Sequence, residues 1–218
     1  GLPPLIEHLA AEAGTWGAFH TLAEVEEDSD AFPALRAAGF SVYAWQRIWD
    51  VSHISAPASS SRWQKAQSAN LPAIQSLFHQ IVPPLLQPVE PTPKRASGLV
   101  CNEGARCYVS LSQGVAGAMA SPLIHPEATG VPEKIKALVA EIPNRRGRPV
   151  YLCVRSYQAW LEPVLEDLGA LSGPRQAVMV KHLARMVKEE QLMRATQPAS
   201  AVPASHIRHA QIKGKEQN

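Results

Sequence analysis

No stretch of the 218-residue sequence is apolar for long enough to span a membrane as a helix, and no signal-peptide pattern opens it. No membrane partner is therefore expected. Cysteine is scarce: Cys101, Cys107 and Cys153 are an odd number without metal-ligand spacing, which argues against a disulfide framework or a zinc site. Reduced thiols in a cytoplasmic protein are the expectation. Charge is also sparse, at 18% of residues and a net +2. It is uneven, with −6 over residues 1–61, +5 over 62–190 and +3 over 191–218. Imbalances of this size steer small anions but do not make a nucleic-acid surface, and no basic recognition helix stands out. Nor is any set of histidines spaced as a metal site; His206 and His209 lie in a polar tail without further ligands.

What is present is a globular composition, 45% hydrophobic. "SHISAPASSS", residues 52–61, has the character of a linker, and residues 191–218 that of a disordered tail. Between them, residues 62–190 read as a complete domain. Its elements run in the order β–α–β–β–β–α–β–α–β, which predicts an α/β fold with a mixed sheet. Asn70 is placed to cap a helix carrying Leu71, Ile74, Leu77, Phe78 and Ile81 on one face. "SGLVCNEG" and "ARCYVSLSQG" predict a hairpin, and "VAGAMASPLIHPE" a third strand. "VPEKIKALVAEI" is an amphipathic helix with Pro132 near its start. "RPVYLCVRS" is a buried strand. "QAWLEPVLEDLG" is a helix that Pro163 starts late or kinks and Gly169 ends. "QAVMVKHLARMV" is a closing strand leading toward a short helix.

Residues 1–51 echo the second half of that order. "LPPLIEHLAAEAG", "WGAFHTLAEV", "SDAFPALRAAGF" and "SVYAWQRIW" match elements beginning near Ile135, and Leu35/Leu165, Gly39/Gly169 and Gln46/Gln176 are each 130 apart. One ungapped register over about Leu5 to Trp49 predicts an internal repeat. Residues 1–51 would be the C-terminal half of a first copy. The first residue, Gly1, is not Met, so a processed product or fragment is expected.

"RWQKAQSANLPAI", "SPLIHPEATG", "LRAAGF" and "LEDLGA" resemble, in order, the opening strand and helix, the acyl-CoA loop and the helix ending of the GNAT superfamily of N-acetyltransferases. The resemblance implies a GNAT-like acyl-CoA N-acyltransferase fold, one complete copy plus half of another. It implies acetyl-CoA as co-substrate, no metal, and a small-molecule or peptide amine as acceptor; it is compatible with a homodimer. In such a fold the pantetheine arm bonds to a splayed strand edge, and the pyrophosphate meets backbone N–H groups at a helix start. On that pattern the cofactor would contact Leu123, Ile124, Thr129, Gly130, Val131 and Gln158, with Gly1 at the corresponding point of the first copy. The acceptor pocket would draw on the loops around residues 80–97, "VPPLLQPVEPTPKR" among them. The family's Gln/Arg-x-x-Gly-x-Gly/Ala loop is reduced here to "PEATGVPEK", with one glycine and a proline that lacks an N–H. Its usual general-acid tyrosine falls at Leu35 and Leu165. Tyr157, His125 and Glu103 are the replacement candidates, each with a plainer role as core edge, turn histidine and turn residue. In tandem members one copy commonly keeps the cofactor site, and on that pattern residues 62–190 are the degenerate copy. The alternative function is a non-catalytic module for dimerisation or for sensing acyl-CoA or another ligand.

Overall fold

The computed structural model describes residues 2–54, 63–101, 106–142 and 147–183; Gly1 and Glu103 lie outside them. The chain divides into units Gly1–Ala184 and Arg185–Asn218, and every described residue is in the first. The elements are α1 (Leu2–Thr15), β1 (His20–Glu26), α2 (Ala31–Ala37), β2 (Ser41–Asp50), β3 (Trp63–Lys65), α3 (Leu71–Ile81), β4 (Leu99–Cys101), β5 (Cys107–Gln113), β6 (Ala118–Ile124), α4 (Val131–Glu141), β7 (Val150–Arg155), α5 (Leu161–Asp167) and β8 (Leu171–His182). Short 3-10 turns, Ser68–Asn70 and Ser156–Gln158, precede α3 and α5. The predicted order over residues 62–183 is thus observed. Pro163 sits in the first turn of α5, which begins only at Leu161, so the proline delays the helix rather than kinking it. Asn70 stands at the N-cap position of α3 as expected, but its side chain makes no cap bond to the helix; its Oδ1 accepts the Gln67 N–H at 2.8 Å and so closes the preceding turn.

The strands form one sheet in the order β1-β8-β2-β7-β6-β5-β4-β3. All neighbours are antiparallel except β6 and β7, so the sheet is mixed. Residues 1–51 and 62–190 share this sheet: β2 lies between β7 and β8, and β8 between β1 and β2. The packed chain continues past β2, where Val51 and Ile54 are buried in the same cluster as Trp49, Leu152 and Leu165. Of the predicted linker, residues 55–61 lie outside the described residues.

The core follows from strand alternation. Val150, Leu152 and Val154 of β7 face α4 and α5, together with Val109, Ala120 and Ile124. Tyr108 and Leu123 face the other way, against Ile74, Leu77 and Phe78 of α3. A third cluster, Val25, Leu35, Phe40, Ala177 and Met179, packs β1 and β8 under α2, with Ile6 of α1 at its edge.

Helices α2 and α5, seven residues each, correspond at a spacing of 130, and Gln46 is paired directly with Gln176 across the β2–β8 seam. The ungapped register fails before α2. Core-facing Ile6, Ala10 and Val25 correspond to buried Ile135, Val139 and Val154, 129 residues on. Leu2-Pro3 at the start of α1 likewise corresponds to Val131-Pro132 at the start of α4. A strand displaced by one residue turns its other face to the core, so burial decides the offset where sequence identity did not.

Gly117 immediately precedes β6, and its φ of +148° excludes most side chains; a Cβ there would stand 2.5 Å from the Pro149 oxygen. That carbonyl accepts the Ala118 N–H, the first bond between β6 and β7. Gly117→Ala is therefore expected to lower the unfolding free energy by about 2 kcal/mol or more, read from urea midpoints. Gly147→Ala, where a Cβ meets nothing, should cost only about 1 kcal/mol for its positive φ. Equal losses at the two positions would show that the close approach is not what limits the site.

Candidate functional site

β6 and β7 pair only through Ala118–Ala120 and Val150–Leu152. Beyond Ala120 and Leu152 they part. Even-numbered residues of β6 turn their backbone toward β7, as Ala118 does, whereas His125 N–H bonds to Arg106 O on the β5 side. The groups facing the gap are therefore those of Pro122 and Ile124. Pro122 has no N–H. Its carbonyl accepts Gln158 Nε2–H at 2.7 Å, and Gln158 Oε1 accepts the Ile124 N–H at 3.0 Å. Gln158 is 1% exposed and fills the gap at the end of the turn that follows β7.

A cavity of about 750 Å³ opens on the face away from α4. Residues 90–95 and Ser97 line one side; Tyr108, Leu123, Cys153, Arg155 and Tyr157 line the other. The proline-rich segment is tied down. Gln87 Nε2 donates to the carbonyls of His79 and Val82, Gln75 Nε2 to that of Pro93, and Tyr108 OH to Ser97 O at 2.6 Å.

A polar cluster closes the inner end. Arg155 Nε lies 3.3 Å from Glu90 Oε1 and its Nη2 lies 3.1 Å from Glu24 Oε1. Arg155 Nη1 donates to Gln46 Oε1, which also accepts Cys153 Sγ–H at 3.1 Å. Gln46 Nε2 then donates to Gln176 Oε1 at 2.7 Å. Tyr157 OH donates to Glu90 Oε1 at 3.4 Å. Tyr43, at a bulge in β2, holds a buried hydroxyl without a hydrogen-bond partner. Three of these side chains, Glu24, Tyr43 and Gln46, come from the first 51 residues.

Burial pushes the Glu90 carboxyl above its ordinary value, and Arg155 offsets this only in part. Burial, reinforced by the Glu90 charge, also raises the phenols of Tyr157 and Tyr43. Burial pushes the Cys153 thiol up to about 11, so it is a thiol rather than a nucleophilic thiolate at neutral pH. For Arg155, burial favours loss of the proton, but Glu90, Cys153, Glu24 and Tyr43 outweigh it and hold the guanidinium charged. The arrangement can accept a proton at Glu90 and donate a hydrogen bond from Tyr157.

The predicted residues separate. Tyr157, Leu123 and Gln158 meet at the cavity or the gap beside it. His125 stands apart: its Nδ1 accepts the Glu127 N–H at 3.2 Å, and it lines a smaller cavity of about 330 Å³ with Gln80 and Arg106. It is a turn residue there. Gly130 caps α4 in the left-handed conformation with φ +59°. Val131 is buried, and Thr129 O accepts the Lys134 ammonium. Pro132 contributes no donor to the helix start and Glu133 adds a carboxylate to its first turn. Judged on these groups, the β6 edge does not fit a pantetheine arm: one gap-facing position lacks a donor and the other's donor is taken. Among the described residues no cluster of three or more histidines, cysteines or carboxylates is arranged to hold a metal ion. Sequence reasoning missed Glu90, Arg155, Glu24 and Tyr43. A lone acid between prolines and an arginine at the end of a buried strand were the available signals.

No protein-family model matches the sequence, and no curated protein does. Solved structures are similar in fold. A GNAT-family acetyltransferase of Novosphingobium aromaticivorans superimposes with TM-score 0.52 at 14% identity, over 80% of this chain and 81% of that one. A Gcn5-related N-acetyltransferase of Kribbella flavida gives 0.52 at 13%, over 83% and 75%. A Gcn5-related N-acetyltransferase of Sphaerobacter thermophilus gives 0.46 at 11%; the match covers 75% of this chain and 59% of that one, less than two thirds of its length. The fold is a mixed α/β fold of GNAT type.

The raised Glu90 carboxyl has a consequence for stability. A group that titrates higher when folded than when unfolded stabilises most below its unfolded value, near 4.5, and that contribution disappears as pH rises through the folded value. Glu90→Gln removes the titration. Its thermal midpoint should therefore gain on the wild type as pH is raised from 4 to 7. A relative loss over the same range would mean that Arg155, not burial, governs Glu90.

Proposed function

We propose that the chain comes from a GNAT-type N-acetyltransferase that moves an acetyl group from acetyl-CoA to an amine, and that residues 62–190 are its degenerate copy. In this reading residues 1–51 are the C-terminal half of a first copy. The 130-residue correspondence of α2 with α5 and the Gln46–Gln176 pairing support it. So do the exposed Leu2, Leu5 and Leu9 of α1, whose counterparts Val131, Lys134 and Leu138 are buried in α4. The strands that cover that face of α4 have no equivalent over α1 among the described residues.

One observation carries the assignment of degeneracy. Where β6 and β7 part, Gln158 holds the one N–H that β6 turns to the gap and Pro122 lacks one, whereas the cavity beside them is open. An acyl donor laid along this edge would find no backbone donor to bond its arm or polarise its carbonyl. The intact cavity favours retention of an amine-binding role, and the closed edge also favours the second reading, a non-catalytic ligand-binding module.

The test is a thermal melt of this chain with acetyl-CoA, paired with an assay for released thiol. A bound ligand at a hundredfold excess over Kd stabilises by about 2.7 kcal/mol. The degenerate reading expects no shift at millimolar acetyl-CoA. A shift with thiol release would overturn it, and a shift without release would favour acyl-CoA sensing.

A further inference from the structure

We propose that the cavity over Glu90 binds an amine whose far end carries an anionic group. The proposal rests on reading this cavity as an acceptor-type site, and it names the class of molecule that fits. Glu90 is 6% exposed, and both of its contacts, from Arg155 and Tyr157, fall on Oε1. Oε2 remains as an acceptor on a residue that lines the cavity. The inner cluster also has a charge imbalance. Half-exposed Glu24 and buried Glu90 share the single guanidinium of Arg155, so the buried carboxylate is only partly neutralised, and Cys153, Tyr43 and Tyr157 are neutral there. One further positive charge would balance it, and an ammonium group bonded to Oε2 supplies that charge and satisfies the carboxylate.

The outer end has the opposite character. Glu90 is the only acid among the described residues of the lining. Lys94 and Arg95, four and five residues further along the same segment, line the cavity without an ion pair among the described residues. Four residues span at most about 14 Å, so the two charged ends lie within reach of one small molecule. Thr92, Ser110 and Ser121 add polar residues to the same lining. A cavity of this volume holds a small molecule rather than a folded partner. An amine without an anion would leave Lys94 and Arg95 unused, and an anion without an amine would meet the buried carboxylate.

Isothermal titration with three probes of equal chain length tests this without acetyl-CoA, so its outcome is independent of the cofactor experiment. The probes are 6-aminohexanoate, n-hexylamine and hexanoate. The expected order places 6-aminohexanoate at least tenfold tighter than either of the others. Glu90→Gln should weaken 6-aminohexanoate and hexylamine at least tenfold. The surface pair Lys94→Ala with Arg95→Ala should abolish the advantage of 6-aminohexanoate over hexylamine and leave hexylamine unchanged. It keeps the test decisive if the buried substitution unfolds the chain. Equal binding of the three probes by the wild type, binding of hexanoate alone, or binding of none would overturn the proposal.

Discussion

The structure depends on one exchange of strands. β2 enters the sheet between β7 and β8, and β8 enters between β1 and β2, so neither half of the sequence owns its part of the sheet. The seam is centred on Gln46 and Gln176, which face each other in register and share a side-chain hydrogen bond at 2.7 Å. Paired amides at such a seam, here buried Gln46 and half-buried Gln176, specify register, because a slip of one residue would leave them unpaired and turn apolar side chains outward. Gln46 does more than align the strands. Its other side-chain atom accepts from Arg155 and Cys153, so the alignment of the seam and the placement of the charged cluster are one network.

That network explains why the cavity is built from distant parts of the chain. Arg155 ends β7, Glu24 lies on β1, Gln46 on β2 and Glu90 on a loop pinned to α3. Only the interleaved sheet brings them together. Of the two carboxylates that share this guanidinium Glu24 is half-exposed and solvated, so the cost of burial falls on Glu90. The arrangement persists where the fold over-determines it, and it leaves an electrostatic preference for a cation at the cavity floor. The gap between β6 and β7 lies alongside and has the opposite property. Pro122 and Gln158 leave no N–H of β6 free toward the gap, so the β6 edge is internally satisfied there.

Much of the fold was legible because its signals are local. Pro132 and Gly130 mark the start of α4, Gly39 and Gly169 end helices, and alternating apolar residues mark β7. The proposed repeat rests on Leu35, Gly39 and Gln46, where helix end and strand fall in one register. Over α1 and β1 small and apolar residues are common enough to satisfy either offset, and burial of Ile6, Ala10 and Val25 favours 129 over 130. The site was harder. Tyr157 and Gln158 follow a strand end where functional groups gather, and both lie at the site. Glu90 and Arg155 are 65 residues apart and carry no motif, and Glu24 joins them only through strand exchange. Charge pairing across such separations is a property of topology, which spacing in sequence does not encode. His125 has a ready chemical role on paper, but its ring accepts the Glu127 N–H in a turn and lines a different cavity from Glu90.

The central claim is that residues 2–54 and 63–183 form one cooperative sheet through the exchanged strands. Native-state hydrogen exchange tests it most directly, because it measures the opening free energy of each amide separately. The account predicts that amides of β2, β7 and β8 share one protection level, equal to the global unfolding free energy, and lose it together as denaturant is added. Opening of β2 at a distinctly lower free energy, with β7 and β8 still protected, would contradict it.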